Sequence, residues 1–217
     1  MPKIARERIH TVYNPISFEY ITRKALEPVT HRWLDSPDYP VIVAIGKLIK
    51  RKGFSTLLRA FARLVSQRPA RLIVLGEGRF REKLLALAKR LGVAEYVDFP
   101  GFAENPFFFL ANANLFVLSS QKEGLPTVLI EAMICGCPVV STDCQHGPRE
   151  ILEDGRHGPL VPVDDAEALA TAMASVLDKP PPREALQDRA AFYSVVRAVD
   201  RYEELLLGRE SAQAQQA

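Results

Sequence analysis

Six short apolar runs, Val41 to Ile45, Leu72 to Leu75, Tyr96 to Phe99, Leu115 to Leu118, Val139 to Ser141 and Leu160 to Val163, alternate along this chain with segments of helical period. Strand-like runs that alternate with helices predict an α/β fold built on a parallel sheet with helices on both faces. Leu57, Leu58, Phe61, Leu64 and Val65 recur at helical spacing between the first two runs. Phe80, Leu84, Leu85, Leu87, Ala88 and Leu91 do so after the second, with Gly92 as a stop. Pro126 suits a first helical turn and Gly136 a position just past an end, so a helix is expected from about Pro126 to Cys135. Asp164-Asp165 can cap a further helix over about Ala166 to Leu177, which Lys179 and Pro180 to Pro182 terminate.

With 217 residues, 47% of them hydrophobic, the chain holds material for one sizeable core and too little for two. Residues 1–38 read as a connector leading in, with a turn at Tyr13-Asn-Pro-Ile16. Residues 39–180 form the sheet domain, and 181–208 a closing helical segment in which Phe192, Val195, Val196, Val199, Tyr202 and Leu206 mark an amphipathic helix. Residues 209–217 are expected to be a disordered tail.

A net charge of +2 gives no global basic field, so nucleic acid is not implied as a partner. Cys135, Cys137 and Cys144 form an odd set without a CxxC pair, and with the four scattered histidines they assemble no four-ligand metal pattern. They read as reduced, mostly buried thiols of a cytoplasmic protein. No apolar run approaches a membrane span, and the amino terminus lacks the apolar core of a signal peptide, so membrane contact is at most peripheral.

Chemistry concentrates in two places. Gly46-Lys-Leu-Ile-Lys-Arg-Lys-Gly53 sets four cations between two glycines in the turn after the first strand, where open parallel sheets bind ligands. A diphosphate fits there, with Lys47 and Lys52 as point charges on its oxygens, and a solvated basic loop is the plainer alternative. Glu123 and Glu131 stand eight positions apart across a helix start whose free N–H groups form an anion site. Both carboxylates can border one cleft, Glu131 accepting from ribose hydroxyls and Glu123 holding sugar hydroxyls or offsetting charge at an anomeric carbon. The plainer alternative is an ordinary turn at Glu123 and a solvated helix face at Glu131. Glu131 is, however, the only charge among Val128, Leu129, Ile130, Ala132 and Met133, and buried carboxylates need partners. Gly76-Glu-Gly78 lacks the third glycine of a dinucleotide fingerprint, with Arg81 in its place, and no GxxxxGK[ST] motif occurs. Phe107 to Leu110 suits the core of a short helix, and His146 is a loop histidine without a visible partner.

In order, these segments resemble the C-terminal, donor-binding half of the family 4 retaining glycosyltransferases of GT-B architecture. The family's Gly-Arg-Leu and Lys-Gly look like Gly46-Lys47-Leu48 and Lys52-Gly53, its Gly-x-Gly like Gly76-Glu77-Gly78, and its Pro-Gly-Phe like Pro100-Gly101-Phe102. Its Glu-x7-Glu motif looks like Ser119-Ser120 with Glu123-Gly124 and Glu131-Ala132-Met133. The resemblance implies a single Rossmann-like doubly wound sheet and a hexosyltransferase that binds a nucleotide sugar, with UDP carried by resemblance alone. Lys47, Lys52 and Glu123 would be catalytic. Gly46, Phe102, Ala103, Gly124, Leu125, Pro126 and Glu131 would bind the donor, with the base near Phe102 and Ala103 and no obligatory metal or other cofactor. The acceptor would be a polysaccharide or glycolipid. Lys47 departs from the family's arginine and gives up a bidentate phosphate contact. The resembling enzymes also carry an N-terminal acceptor domain, so the chain alone is expected to bind donor weakly and to transfer little sugar. Three other readings are a non-catalytic module of a two-chain transferase, a nucleotide-sugar epimerase-like protein and, weakest, a nicotinamide dehydrogenase.

Overall fold

A computed structural model describes residues 9–35 and 38–207. The 209–217 tail therefore lies outside the described residues, as do the first eight positions of the connector. Six strands, β1 (Val41–Ile45), β2 (Arg71–Leu75), β3 (Val97–Gly101), β4 (Leu115–Leu118), β5 (Val139–Thr142) and β6 (Leu160–Val161), form one sheet in the order β3-β2-β1-β4-β5-β6. Every pairing is parallel; Val43 lies level with Ile73 on one side and Phe116 on the other.

Alternate strand residues feed two separate cores. Ile42, Ala44, Leu72, Val74, Leu115 and Val117 face α2 (Phe54–Val65), α3 (Arg81–Arg90) and α7 (Ala166–Asp178). Val41, Val43, Ile73, Phe116 and Leu118 face the opposite layer, which contains α1 (Phe18–Ala25), α4 (Pro106–Asn112), α5 (Thr127–Ile134) and α8 (Arg183–Ala190). Each fully buried aliphatic side chain of this kind contributes roughly 1.5–3 kcal/mol. Burial on both faces is why the strands carry unbroken apolar runs.

The sequence expectations hold for the doubly wound parallel sheet and need correction at its margins. Within the connector α1 forms, a helix that the sequence does not predict, started by Ser17, whose hydroxyl accepts from the Tyr20 N–H. Tyr13 to Ile16 is not a turn, because Ile16 bridges to Ser194 and donates its N–H to the Tyr193 carbonyl. Tyr96 belongs to a 3-10 turn, so β3 begins at Val97. β6 stops at Val161, since Pro162 has no N–H to extend the ladder. Pro126 caps α5 from outside instead of opening its first turn. The closing segment is two helices, α8 and α9 (Val195–Leu207), separated by a 3-10 turn at Ala191–Tyr193. Between β5 and β6 the short α6 (Pro148–Ile151) follows Gly147. As expected, Phe109 and Leu110 are buried in α4.

At the amino ends of the strands, the Arg71 guanidinium stacks within 5.2–5.5 Å of the Trp33, Tyr39 and Tyr96 rings, and Arg32 lies 4.6 Å from Trp33. These contacts fasten the connector to the amino ends of the strands, away from the carboxyl rim of the sheet. Among the described residues no helix is long and apolar enough to cross a membrane.

Candidate functional site

In this strand order the chain leaves β1 toward one side of the sheet and β4 toward the other, which opens a crevice at their carboxyl ends. The loops after both strands meet there. Lys52 ends a 3-10 turn and Gly53 follows in the left-handed region at φ 67°. The Lys52 carbonyl accepts from the Ser119 hydroxyl at 2.9 Å, and the Arg51 carbonyl accepts from the Gln121 N–H at 2.8 Å. A third brace comes from Asp164, whose carboxylate accepts from Thr56 at 3.1 Å and from the Gln121 amide at 2.9 Å.

Across this seam Lys52 Nζ donates to Glu123 Oε1 at 2.6 Å, and the Ser120 hydroxyl donates to the same oxygen at 2.6 Å. The side chains are 17% and 9% exposed, so the pair is shielded from bulk water on most sides. A Cβ placed on Gly46 would touch the Lys52 chain at 3.4 Å, which puts the lysine stem directly over the Gly46 backbone. Gly46 and Lys47 also wall a cavity of about 420 Å³ with Leu75, Glu77, Phe102 and Ala103. Phe102, one of the residues lining this cavity, is 74% exposed. No carboxylate pairs with Lys47 among the described residues, so its ammonium is free to meet an anion.

Gly124 and Leu125 line a second, open cavity of about 630 Å³ with Tyr13, His146 and Arg149. Gly147 packs beneath this loop: a Cβ there would lie 2.4 Å from Pro126 and 2.5 Å from the Gly124 carbonyl. Thus Lys52 meets Glu123 directly, Gly46 joins that pair to Lys47, Phe102 and Ala103, Gly124 and Leu125 line the second cavity, and Pro126 packs against Gly147. Glu131 does not bond to the Lys52–Glu123 pair. It sits half-buried in α5, with the Thr127 hydroxyl one turn back as its partner, and no described hydrogen bond links it to Glu123 or to either lysine.

Burial pushes the Glu131 carboxyl above the ordinary range, opposed by the Thr127 hydroxyl. A carboxyl whose pKa is raised on folding contributes stability that is present below the unfolded pKa and lost as pH rises through the folded value. Glu131→Gln is therefore expected to raise Tm at pH 7 and to give no gain below about pH 4.3, the unfolded reference. Scanning calorimetry at both pH values checks this, and equal shifts at the two would refute it.

Ser120, already part of the motif quoted above, and Thr142, which the sequence does not mark, are both fully buried, and Thr142 Oγ1 donates to the Ser120 carbonyl at 2.6 Å. The only local signal for Thr142 is a hydroxyl residue at the end of β5. The three cysteines are free and buried, and burial pushes the Cys135 thiol up to about 12 and those of Cys137 and Cys144 upward, which leaves them poor nucleophiles. Among the described residues no His, Cys, Asp or Glu group is arranged to hold a metal ion.

The family profile of glycosyl transferases group 1 matches residues 31–191. Over 187 residues, 86% of this chain and 49% of the relative, the sequence is 35% identical to the N-acetylgalactosamine-N,N'-diacetylbacillosaminyl-diphospho-undecaprenol 4-alpha-N-acetylgalactosaminyltransferase of Campylobacter jejuni. It is 41% identical over 145 residues to the lipopolysaccharide core biosynthesis glycosyltransferase LpsE of Rhizobium meliloti, covering 66% of this chain and 42% of that protein. The chain thus spans half or less of the length of these curated relatives. Among solved structures, Anabaena HepE in complex with UDP superposes with a TM-score of 0.83 at 22% identity, over 94% of this chain and 59% of that one, which establishes a shared GT-B type fold. A profile match that takes in the whole sheet, from the connector to α8, together with relatives aligned across the same crevice, makes this chain a member of the glycosyl transferases group 1.

Proposed function

We propose that the chain is the donor-binding half of a retaining, family 4 hexosyltransferase that takes a UDP-sugar and serves a polysaccharide or glycolipid acceptor. The observation that carries this reading is the Lys52–Glu123 pair at 2.6 Å, seated at the switch point and joined through Gly46 to the cavity walled by Phe102 and Ala103. In this reading the base occupies that cavity and Glu131 takes the ribose hydroxyls. Lys47, Lys52 and the amino end of α5 hold the diphosphate, while Glu123, Gly124, Leu125 and Pro126 face the sugar. Charge that develops on the departing diphosphate meets fixed ammonium groups and backbone dipoles, a form of electrostatic stabilisation that needs no obligatory metal. HepE, a neighbour in fold, was solved with UDP, and the Campylobacter relative is named for a diphospho-undecaprenol substrate, which supports a lipid-linked acceptor.

Calorimetry on the purified chain with UDP, UDP-sugars and GDP-sugars tests the reading. UDP is expected to bind, and Glu131→Ala to weaken it about ten- to a hundredfold through loss of charge-assisted ribose contacts worth roughly 1.5–3 kcal/mol. No heat with any nucleotide would overturn it.

A second reading, a binding module that works only with a partner carrying the other half, is favoured by one feature. Val196, Val199, Tyr202 and Leu206 on α9 are 63%, 48%, 50% and 77% exposed, an apolar stripe of helical spacing. Copurification with such a partner would support it.

A further inference from the structure

Thr142 ends β5 with its side chain fully buried, yet the donor site as described makes no use of its hydroxyl. Oγ1 lies 2.6 Å from the Ser120 carbonyl and 3.3 Å from that of Leu118. One hydroxyl has one proton, so the shorter contact is the bond that matters. Ser120 lies two residues beyond the end of β4, where the ladder to β5 has stopped, and no neighbouring strand serves its carbonyl. Thr142 fills that role and so fixes the backbone from which the Ser120 hydroxyl reaches Glu123.

The consequence falls on a single oxygen. Glu123 Oε1 accepts both from Ser120 and from Lys52, at 2.6 Å each, whereas Oε2 makes no hydrogen bond among the described residues. Two donors on one oxygen prevent the carboxylate from rotating, and the ammonium it holds keeps its other two N–H groups for an anion. We infer that Thr142 is a positioning residue of the donor site: it holds Ser120, Ser120 holds Glu123, and Glu123 aims Lys52 at the diphosphate. This rests on the crevice being the donor site. The hydroxyls touch no substrate and act only through the carboxylate.

The test is UDP affinity, measured by calorimetry on the full chain beside its melting temperature. Ser120→Ala and Thr142→Val are expected to weaken UDP about five- to tenfold, and Thr142→Ser, which keeps the hydroxyl, to recover most of the loss. The deciding measurement repeats Ser120→Ala in a Glu123→Ala background. With no carboxylate to hold, the serine hydroxyl should then matter less than twofold, whereas a merely structural role would cost the same in both backgrounds. Should Thr142→Val fail to fold, Thr142→Ala takes its place, and its loss of UDP affinity should likewise vanish in the Ser120→Ala background; an equal loss in both backgrounds overturns the role of Thr142. Wild-type binding with an unchanged, folded Ser120→Ala variant, or equal losses in the two backgrounds, overturns the positioning role only. Absence of UDP binding by the wild-type chain overturns the site reading, and this inference with it.

Discussion

Lys52→Met is expected to reduce UDP affinity by about a hundredfold while leaving the chain folded. The ammonium donates one N–H to Glu123 and keeps two for phosphate oxygens. Hydrogen bonds to charged groups contribute roughly 1.5–3 kcal/mol each, and the lower end applies because the crevice opens to solvent. Two such contacts amount to about 3 kcal/mol, or about a hundredfold in affinity. The effect is compounded by what remains: Glu123, only 9% exposed, loses its counter-charge and turns a carboxylate toward an incoming dianion. Removing one member of a buried pair costs about 3–5 kcal/mol of stability in the limit, and less here because Ser120 still bonds Oε1. Lys52→Met combined with Glu123→Gln should therefore recover melting temperature but not affinity. Calorimetric titration checks both variants; affinity within threefold of wild type for Lys52→Met would mean that the diphosphate binds elsewhere.

Gly53→Ala is the change expected to damage the fold most. The residue occupies the left-handed region at φ 67°, which costs an L side chain about 1 kcal/mol by itself. More seriously, a Cβ there would lie 1.8 Å from the Ser119 carbonyl oxygen and 2.8 Å from its carbon. Those are backbone atoms at the end of β4, so relief requires the loops after β1 and β4 to part, with loss of the Ser119 and Gln121 bonds across the seam. A total of about 3–5 kcal/mol is expected, which in a domain of this size lowers Tm by roughly 6–20 °C. Gly92→Ala is the control, since Gly92 has a similar φ of 71° but nothing within 4 Å of the added carbon. A thermal melt in which the two variants match would remove the case for close approach at Gly53.

What could be read in advance followed burial. Strands enclosed on both faces show as continuous apolar runs, and the helices between them as repeats of Leu, Phe and Ala, because each element's environment is written along its own few residues. α1 leaves little hydrophobic signal because its eight residues bury only Ile21. Hydropathy alone overextends β6, because Pro162 interrupts a run that stays apolar. For the site, Lys52 and Glu123 could be named from local motif but not their contact, which spans 71 positions and depends on β1 and β4 being neighbours. The Thr142 to Ser120 bond depends in the same way on β4 beside β5. Glu131 has apolar neighbours that call for a partner, and Thr127, one turn back on its own helix, supplies one.

The chain has one tryptophan, Trp33, and the stack with Arg32 and Arg71 places it at the amino ends of the strands. The crevice lies at the opposite ends, a strand length of about 16 Å away for five residues. Indole emission from this protein consequently tracks whether the connector remains docked on the sheet and is insulated from occupancy of the rim, so optical denaturation curves and ligand titrations draw on independent signals.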